Sequence, residues 1–537
     1  MLRKQDDFMN IVEMEHVSFS YQGAQGAALH DVALSVREGE FVLATGRSGC
    51  GKTTLTRLMN GLIPHFFPGN LSGKVLVGGR DVRQLATYEL AATVGSVFQD
   101  PRSQFFTTNT VSEVAFGCEN LGLPSDRIAS QVEGAFADFA IEHLRNRSIF
   151  DLSSGEKQKV ALASTYAMEP NLFVLDEPSA NLDVRATLML ADVLAELKRR
   201  GRTVVVSEHR LYYLMELADR VVFMEDGRIV DQWTPSRARS LSRDELMRRG
   251  LRLFDLDDVA PARAGSAAAD GRAGRAAGDD GAAPASADRR VQADVPVSPL
   301  LHVRDVRLSF GERAVLRGVE FDAGGHAGAR CAQRAEVIGI TGPNGAGKTT
   351  LARCLCGLSR RCRGTVELDG RMLRRRARSR SMYFVMQDAD YQLFTESVED
   401  ELRLGNEDDG TLDERVRDVL ERLGMASLRG VHPMALSGGQ KQRVTIASAA
   451  VSPARVLLFD EPTSGLDGHS MRSVCDIVRD LASRGRLVFV ISHDLEFLAG
   501  ACDRIIHVRD GEVTDDFLLV GQNVARLRSL LFRGASA

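Results

Sequence analysis

The stretch GRSGCGKTT, residues 46–54, returns as GPNGAGKTT at residues 342–350. Both copies satisfy the pattern G-x-x-x-x-G-K-[ST], and each follows a short apolar run and precedes a helical pattern. The backbone amides of such a loop, together with the N-terminus of the next helix, cradle phosphate oxygens. One chance match is plausible, but two in corresponding places predict two phosphate-binding loops, each between a strand and a helix.

The rest of the chain repeats as well. DLSSGEKQKVALAS begins at Asp151 and ALSGGQKQRVTIAS begins at Ala435, an offset of 284 residues (435−151) that also relates His209 to His493. A constant offset over this many motifs indicates that the chain contains the same fold twice. Short Val, Ile, Leu and Phe runs alternate with helical segments in both halves, which predicts an α/β fold with buried parallel strands.

Length and composition place the two copies in separate domains. A chain of 537 residues suits two domains, and residues 257–295 are almost entirely Ala, Gly, Asp, Arg and Pro with interspersed charges, which favours a flexible linker over a charged interaction tail. The predicted boundaries are 1–255 for the first domain, 256–298 for the linker and 299–537 for the second domain. The second half has a longer segment before its glycine-rich loop, and AGGHAGARCAQR, residues 323–334, is predicted to be an extra surface loop.

Charge, cysteine and hydropathy patterns exclude several classes of protein. Lys and Arg total 68 against 72 for Asp and Glu, so the net charge is close to zero and does not indicate binding to nucleic acid or to an anionic membrane. Any partner must therefore be recognised by a local part of the surface. The eight cysteines lack paired CxxC spacing, which fits reduced thiols better than disulfides or a zinc site. No cleaved signal is expected at the N-terminus, and no apolar run reaches the roughly 18 residues of a membrane span.

Each half also ends an apolar strand in an Asp-Glu pair, as LFVLDEP and VLLFDEP. Downstream of a phosphate-binding loop, the aspartate of such a pair is expected to hold the Mg²⁺ shell and the glutamate to polarise the attacking water. The predicted lysine contacts to the β- and γ-phosphates come from Lys52 and Lys348. The predicted Mg²⁺ ligands of these motifs are Thr53, Thr349, Asp176 and Asp460, and the predicted catalytic carboxylates are Glu177 and Glu461.

At this point nearly the whole chain apart from the linker resembles the ATP-binding cassette (ABC) ATPase family. LSSGEKQKV and LSGGQKQRV look like the family signature, SANLD and SGLDG look like D-loops, and VFQD and VMQD look like Q-loops. The resemblance implies ATP hydrolysis with ATP and Mg²⁺ as cofactors. It also implies two tandem P-loop NTPase domains, each with a mainly parallel sheet core, an antiparallel β subdomain and a helical signature subdomain.

The resemblance assigns further residues to each site. The switch histidines, expected to contact the γ-phosphate, are His209 and His493. The Q-loop glutamines, expected near Mg²⁺, are Gln99 and Gln387. The aromatic side chains proposed to stack on adenine, for which core packing is nearly as plausible, are Tyr21 and Phe310. The remaining nucleotide-binding positions are Gly46, Ser48, Gly49, Gly51, Thr54, Gly342, Asn344, Gly345, Gly347 and Thr350 in the two phosphate-binding loops, and Ser153, Gly155, Ser437, Gly438, Gly439 and Gln440 in the signatures.

In the family, the signature of one cassette completes the nucleotide site of the other, so fusion supplies both partners in one chain. The first signature departs from the pattern, with Ser154 in place of glycine and Glu156 in place of glutamine. The extra Cβ and the carboxylate predict a mild asymmetry, in which the site built on Lys348 turns over ATP less readily than the site built on Lys52. Two equivalent sites are the alternative.

Within the family, the strongest resemblance is to energy-coupling factor importers for vitamins and metals. It rests on VFQDPRSQFFTTNTVSEVAFG and VMQDADYQLFTESVEDELRLG. It implies a peripheral position at the cytoplasmic face of the membrane, with an integral membrane scaffold and a substrate-binding membrane subunit as partners and no nucleic acid. The side chains expected to line grooves for the scaffold are Asp100, Gln104, Phe106, Asp388, Gln392 and Phe394. Two alternatives are a ribosome-associated tandem-cassette ATPase, whose linker is typically long, charged and helical, and a fused sugar-importer ATPase, which usually shows one degraded site.

Overall fold

The computed structural model describes residues 9–24, 26–180, 182–261, 300–324, 335–406 and 410–532. They fall into two compact units, one of residues 9–258 with 464–471, and the other drawn from residues 259–463 with 472–532. Most of the predicted linker and of the predicted extra loop, residues 262–298 and 325–334, lies outside the described residues.

The first half contains an antiparallel four-stranded sheet in the order β2-β1-β4-β5 and a six-stranded sheet in the order β10-β9-β3-β8-β7-β6. All neighbours in the six-stranded sheet run parallel except β10 and β9. The strands are β1 (Asn10–Tyr21), β2 (Leu29–Arg37), β3 (Phe41–Gly46), β4 (Gly69–Val77), β5 (Arg80–Asp81), β6 (Val94–Val97), β7 (Leu172–Asp176), β8 (Thr203–Ser207), β9 (Arg220–Glu225) and β10 (Arg228–Trp233). The helices are α1 (Lys52–Met59), α2 (Leu62–His65), α3 (Thr87–Ala91), α4 (Thr110–Asn120), α5 (Ser125–Asp138), α6 (Ser154–Ala167), α7 (Val184–Arg199), α8 (Pro235–Arg239) and α9 (Arg243–Arg249).

The second half repeats this plan with sheets ordered β12-β11-β14-β15 and β16-β17-β18-β13-β19-β20. Its strands are β11 (Leu301–Phe310), β12 (Arg313–Ala323), β13 (Val337–Thr341), β14 (Arg363–Leu368), β15 (Arg371–Met372), β16 (Met382–Val385), β17 (Val456–Asp460), β18 (Leu487–Ile491), β19 (Arg504–Arg509) and β20 (Glu512–Leu518). Its helices are α10 (Lys348–Leu355), α11 (Arg375–Ser381), α12 (Val398–Arg403), α13 (Leu412–Arg422), α14 (Gly438–Val451), α15 (Gly468–Ser483), α16 (Leu495–Ala501) and α17 (Val524–Phe532). Short 3₁₀ turns cover Pro101–Gln104, Glu142–Leu144, Ile149–Asp151, Leu256–Asp258, Ala389–Tyr391, Ala426–Leu428, Pro433–Ala435 and Gly521–Asn523.

The strands that precede the functional loops are buried along their whole length. Every residue of β3, β8, β13, β17 and β18 is buried, because strands at the centre of a covered parallel sheet lack a face toward water. In each half the hydrophobic core joins the antiparallel sheet, the helix after the phosphate-binding loop and one face of the six-stranded sheet. The predicted fold class is therefore confirmed.

A helical region interrupts the six-stranded sheet between its edge strand and its neighbour. In the first half this region is α4, α5 and α6, and in the second half it is α12, α13 and α14. Asn109 and Ser397 cap its first helices by accepting backbone N–H groups, which is the usual preference at helix starts. Across the described ranges, no helix combines the length and apolar character that a bilayer crossing requires.

Candidate ATP-binding and hydrolysis sites

The first phosphate-binding loop connects β3 to α1 through glycines in conformations that other residues rarely adopt. Gly46 has a φ of 152°, and a Cβ there would lie 2.1 Å from the carbonyl oxygen of Met224. Gly51 has a φ of 103°, and a Cβ there would lie 2.8 Å from the carbonyl oxygen of Ala28. Only glycine lets the loop lie this close to the neighbouring strands, which leaves its amides at the N-terminus of α1.

The second loop, between β13 and α10, has the same geometry. Gly342 and Gly347 have φ values of 143° and 100°, and a Cβ on Gly342 would lie 2.0 Å from the carbonyl oxygen of Val508. The side chains of both loop lysines are buried and folded back over their own loops. Lys52 Nζ donates to the carbonyl oxygens of Gly46 and Arg47 at 3.1 Å each, and Lys348 Nζ donates to those of Gly342 and Pro343 at 2.7 and 3.0 Å.

The aspartates predicted to hold Mg²⁺ end the strands next to these loops. Asp176 ends β7 and accepts a hydrogen bond from Ser207, and Asp460 ends β17 with only 2% of its surface exposed. Burial raises the pKa of each carboxyl, and at Asp176 the hydrogen bond from Ser207 opposes that shift.

The second site offers a direct test of whether Mg²⁺ fits. Oδ2 of Asp460 is buried and has no hydrogen-bond partner among the described residues. A buried, partnerless carboxylate oxygen beside a threonine hydroxyl matches the hard oxygen ligands that Mg²⁺ prefers. Searched over the described residues, no group of three His, Cys, Asp or Glu side chains could hold a metal ion by itself. When bound, the phosphates of ATP would supply further oxygen ligands to the ion.

The switch histidines lie beside the glutamates that follow these aspartates. Glu177 and Glu461 adopt positive φ angles of 46° and 49°, a strained conformation that is common at functional sites. His209 Nε2 lies 3.3 Å from Glu177 Oε1, and His493 Nε2 lies 3.7 Å from Glu461 Oε1. Burial raises the pKa of Glu177, but His209 and Lys52 lower it by more, so this pKa falls below its ordinary value and the group stays a carboxylate.

The two Q-loop glutamines are placed differently. Gln99 Nε2 donates to Glu177 Oε2 at 2.9 Å, which ties the first Q-loop to the catalytic glutamate. Gln387 is exposed in the turn after β16. Their role as Mg²⁺ ligands remains a prediction.

The predicted adenine-stacking residues also differ. The hydroxyl of Tyr21 lies 3.1 Å from Thr54 Oγ1 and accepts a hydrogen bond from Arg57, and its ring packs edge-on against Phe19 with a centroid distance of 4.8 Å. Phe310 ends β11 with 58% of its surface exposed. Adenine stacking by either ring remains a prediction.

The two signatures start their helices in the same way despite the sequence difference. Ser153 and Ser437 form capping boxes, in which Glu156 accepts the Ser153 amide at 2.7 Å and Gln440 accepts the Ser437 amide at 2.9 Å. The Glu156 carboxylate is turned toward its own helix start and lies 3.4 Å from Arg147. Burial raises the pKa of Glu156, but hydrogen bonds from Ser153 and the charge of Arg147 lower it overall.

The structure shows how much room the first glycine position of the signature has within the protein. Gly438, the counterpart of Ser154, does not have a left-handed φ, and a Cβ there would meet nothing within 4 Å. The next glycine is the constrained one, because a Cβ on Gly155 would lie 2.7 Å from the Cβ of Ala186. The expected asymmetry between the two sites remains a prediction. The pairing of each loop with the other half's signature remains a prediction.

Two glutamines expected to line the docking grooves face inward instead. The carboxamide of Gln104 accepts the Phe98 amide and donates to the Ser96 carbonyl, and that of Gln392 accepts the Met386 amide and donates to the Phe384 carbonyl. These amides stabilise the Q-loop from inside, because a turn with buried backbone groups needs internal partners.

Sequence reasoning missed two buried glutamates that hold the loops ahead of α4 and α12. Glu113 accepts the amides of Phe106 and Thr107 and the Thr107 hydroxyl, at 3.1, 2.8 and 2.8 Å. Glu401 repeats this pattern with Phe394 and Thr395 at 2.9, 3.0 and 3.0 Å. The available signal was the recurrence of an acidic residue six positions after a threonine in both halves.

A third acidic residue positions the first switch histidine. The Glu208 carboxylate is buried and accepts the amides of His209 and Arg210 and the hydroxyl of Tyr213, at 2.7, 3.1 and 2.8 Å. In the second half Asp494 follows His493 and caps α16 instead. The two histidine turns are thus stabilised by acidic residues on opposite sides of the histidine.

Comparison with known proteins agrees with this geometry. The ABC transporter family model matches residues 29–180 and 330–464. A Treponema denticola protein, provisionally named as an ABC transporter ATP-binding protein, is 41% identical over 94% of this chain and 97% of its own length. Bacillus subtilis YkoD, provisionally named as an HMP/thiamine import ATP-binding protein, is 29% identical over 94% of this chain and 90% of its own.

The structure titled RNase-L Inhibitor superposes with a TM-score of 0.59, covering 96% of this chain and 93% of its own at 22% identity, which shows a shared tandem fold. When bound, Mg²⁺ and ATP supply the metal-stabilised γ-phosphate that water attacks. The glycine-rich loops, the buried lysines, the strand-end aspartates and the glutamates beside the switch histidines are the residues predicted to act in this reaction. The chain belongs to the ABC transporter ATP-binding family, as an ATPase with two tandem cassettes that bind ATP and Mg²⁺.

Proposed function

We propose that this chain is the ATP-hydrolysing energy-coupling subunit of a membrane importer of the energy-coupling factor type, with a substrate of the vitamin or metal-ion class. Its partners would be an integral membrane scaffold and a substrate-binding membrane subunit, and it would lie peripherally at the cytoplasmic face of the membrane. The likeness to YkoD, whose name refers to import, supports the proposal.

One structural observation carries the proposal. Phe106 and Phe394 are 74% and 75% exposed, and buried Glu113 and Glu401 hold their loops through matching hydrogen bonds. Aromatic side chains are enriched at protein interfaces, and here the same exposed ring is presented by the same loop in both halves. The repetition favours two equivalent docking segments on one membrane scaffold.

A cavity next to the first of these loops connects the docking region with the metal site. It has a volume of about 440 Å³, and its lining includes Thr53 and Asp176 from the metal site, Gln99 and Asp100 from the Q-loop, and the Phe66 side chain. Gln99 also contacts Glu177. A partner helix that enters this cavity would therefore move the Q-loop and, through Gln99, the catalytic carboxylate.

We further propose that Lys52, Glu177 and His209 work with the signature that starts at Ser437. Lys348, Glu461 and His493 would work with the signature that starts at Ser153. The proposal rests on the family arrangement and on the matching capping boxes of both signatures. A ribosome-associated role and a sugar-importer role are the alternatives. The likeness to the RNase-L Inhibitor structure is at 22% identity and supports the fold alone.

The test is to purify the tagged chain from detergent extracts and to identify the proteins that accompany it. We expect an integral membrane protein encoded beside this chain to co-purify. Serine substitutions at Phe106 and Phe394 should reduce its recovery at least about tenfold, the loss of a buried aromatic contact. The matched controls are Val230→Ser and Leu518→Ser, because these exposed residues lie on β10 and β20, at the opposite edges of the two sheets from the Q-loops. Recovery of ribosomes without any membrane protein would contradict the proposal.

A further inference from the structure

The second half carries a dense group of exposed arginines on two neighbouring segments. One segment is the turn after α10, and the other comprises α11 and the residue before it. The exposed arginines, which we call the arginine patch, are Arg360, Arg361, Arg374, Arg375, Arg376 and Arg380.

The two segments form one surface because they pack closely together. Gly357, in the turn, lies so near α11 that a Cβ on it would be 2.3 Å from the Arg375 carbonyl oxygen. Arg378 is buried beneath the patch and donates to the carbonyl oxygens of Cys354 at 3.2 Å and Leu373 at 3.0 Å. Arg378 thereby fixes α11 against the end of α10.

The charges of the patch are not neutralised within the part of the chain that the structure describes. None of the six arginines forms an ion pair or hydrogen bond through its side chain with another described residue, and the nearby Asp369 carboxylate is already paired with Arg455. Like charges concentrated on one surface repel each other and attract a polyanion.

The first half shows that the fold itself does not require this patch. There α3, the counterpart of α11, contains no arginine, and in the residues before it Arg80 pairs with Glu89 at 2.8 Å and Arg83 pairs with Asp81 at 2.6 Å. The segment that follows α1 there, residues 60–68, contains no arginine, and its Phe66 lines the cavity described above. The positive surface is thus specific to the second half.

The side chains between the arginines indicate the kind of polyanion. Leu358 and Met372 are 48% and 60% exposed, and residues 356–381 contain no aromatic side chain. Binding of single-stranded nucleic acid typically uses aromatic stacking, which this surface lacks. Exposed apolar side chains among arginines instead suit the boundary between lipid headgroups and acyl chains.

We propose that the arginine patch binds the anionic headgroups of membrane lipids. The location agrees with the proposed function, on which this inference partly rests. α11 runs directly into β16, the edge strand that precedes Gln387, so the patch and the Q-loop where we place the membrane scaffold flank the same edge strand. The patch would orient the second cassette toward the bilayer independently of the scaffold.

The experiment is flotation of the purified full-length chain with vesicles of phosphatidylcholine alone or with about a third phosphatidylglycerol, at about 0.05 M salt. We expect binding to the anionic vesicles only. Because one arginine near an anionic surface changes binding about fivefold, the triple variant Arg374→Gln/Arg375→Gln/Arg376→Gln should bind about 100-fold more weakly. The matched control is Arg80→Gln/Arg83→Gln in the first half, which should change binding less than about twofold because both charges are already paired.

Further measurements keep the proposal falsifiable. The ATPase rate of the triple variant should stay within about twofold of the parent, which shows that the chain is folded. High salt screens the attraction between charges, so the vesicle binding that remains there should come from apolar contacts. The variant Leu358→Ser/Met372→Ser should lower this remaining binding. Equal binding to neutral and anionic vesicles, unchanged binding of the triple variant, or tighter binding to a nucleic acid duplex at the same salt would overturn the proposal. Vesicle binding without any co-purifying membrane protein would refute the importer role and leave the lipid site standing.

Discussion

Replacing Glu113 by glutamine tests how the exposed Phe106 loop is held. One oxygen of this buried carboxylate, Oε2, accepts three hydrogen bonds at 2.8 to 3.1 Å, from two backbone amides and the Thr107 hydroxyl. A hydrogen bond to a charged acceptor contributes roughly 1 kcal/mol more than one to a neutral acceptor. Three such bonds, which are not fully additive, give an expected local destabilisation of about 2 kcal/mol.

The assay is hydrogen exchange of the full-length chain, read at the peptide that contains Phe106 and Thr107. If these amides exchange by local opening, a loss of about 2 kcal/mol accelerates their exchange roughly 30-fold. Glu401→Gln should accelerate amide exchange at Phe394 and Thr395 by a similar factor and leave the exchange rates of Phe106 and Thr107 unchanged.

The control is Glu119→Gln, because Glu119 is an exposed residue of the same helix, α4. It should leave exchange at Phe106 and Thr107 within about twofold. The reasoning would be refuted if Glu113→Gln behaved like this control, since the loop would then be held by contacts other than the carboxylate.

Two further predictions concern catalysis and the first signature. Glu177→Gln and Glu461→Gln should each retain ATP binding and lose much of the hydrolysis at one site, and the double variant should fall by about 10²- to 10⁴-fold in single-turnover hydrolysis; an unchanged rate in the double variant would contradict the assigned roles. Ser154→Gly should leave the ATPase rate within about twofold because a Cβ at its counterpart Gly438 meets nothing within 4 Å, whereas Gly155→Ala should lower the rate or the thermal midpoint because its Cβ would lie 2.7 Å from Ala186. Equal effects of the last two substitutions would show that α6 and α7 move apart at this contact without cost.

The sequence alone predicted much of the catalytic machinery because each part is local. A glycine-rich loop between a strand and a helix, or an acidic pair at the end of an apolar strand, is specified by a few consecutive residues, and the fold places such segments at one edge of a parallel sheet. Lys52, Asp176 and Glu177 could therefore be assigned before the fold was known. The same logic predicted the two cassettes, since the repeat keeps the order and spacing of these segments.

Other properties depend on which groups face one another after folding. Gln104 is polar and lies in a surface loop, yet its amide turns inward because the buried backbone of the Q-loop needs hydrogen-bond partners. Glu113 resembled an ordinary first-turn helix acid, and its role emerged only where burial removed water and left it as the acceptor for the loop. The arginine patch joins two segments separated in sequence by the β14 and β15 pair. Sequence order determined the chemistry of each cassette, whereas burial and packing decided which side chains hold the loops and which charges remain for a partner.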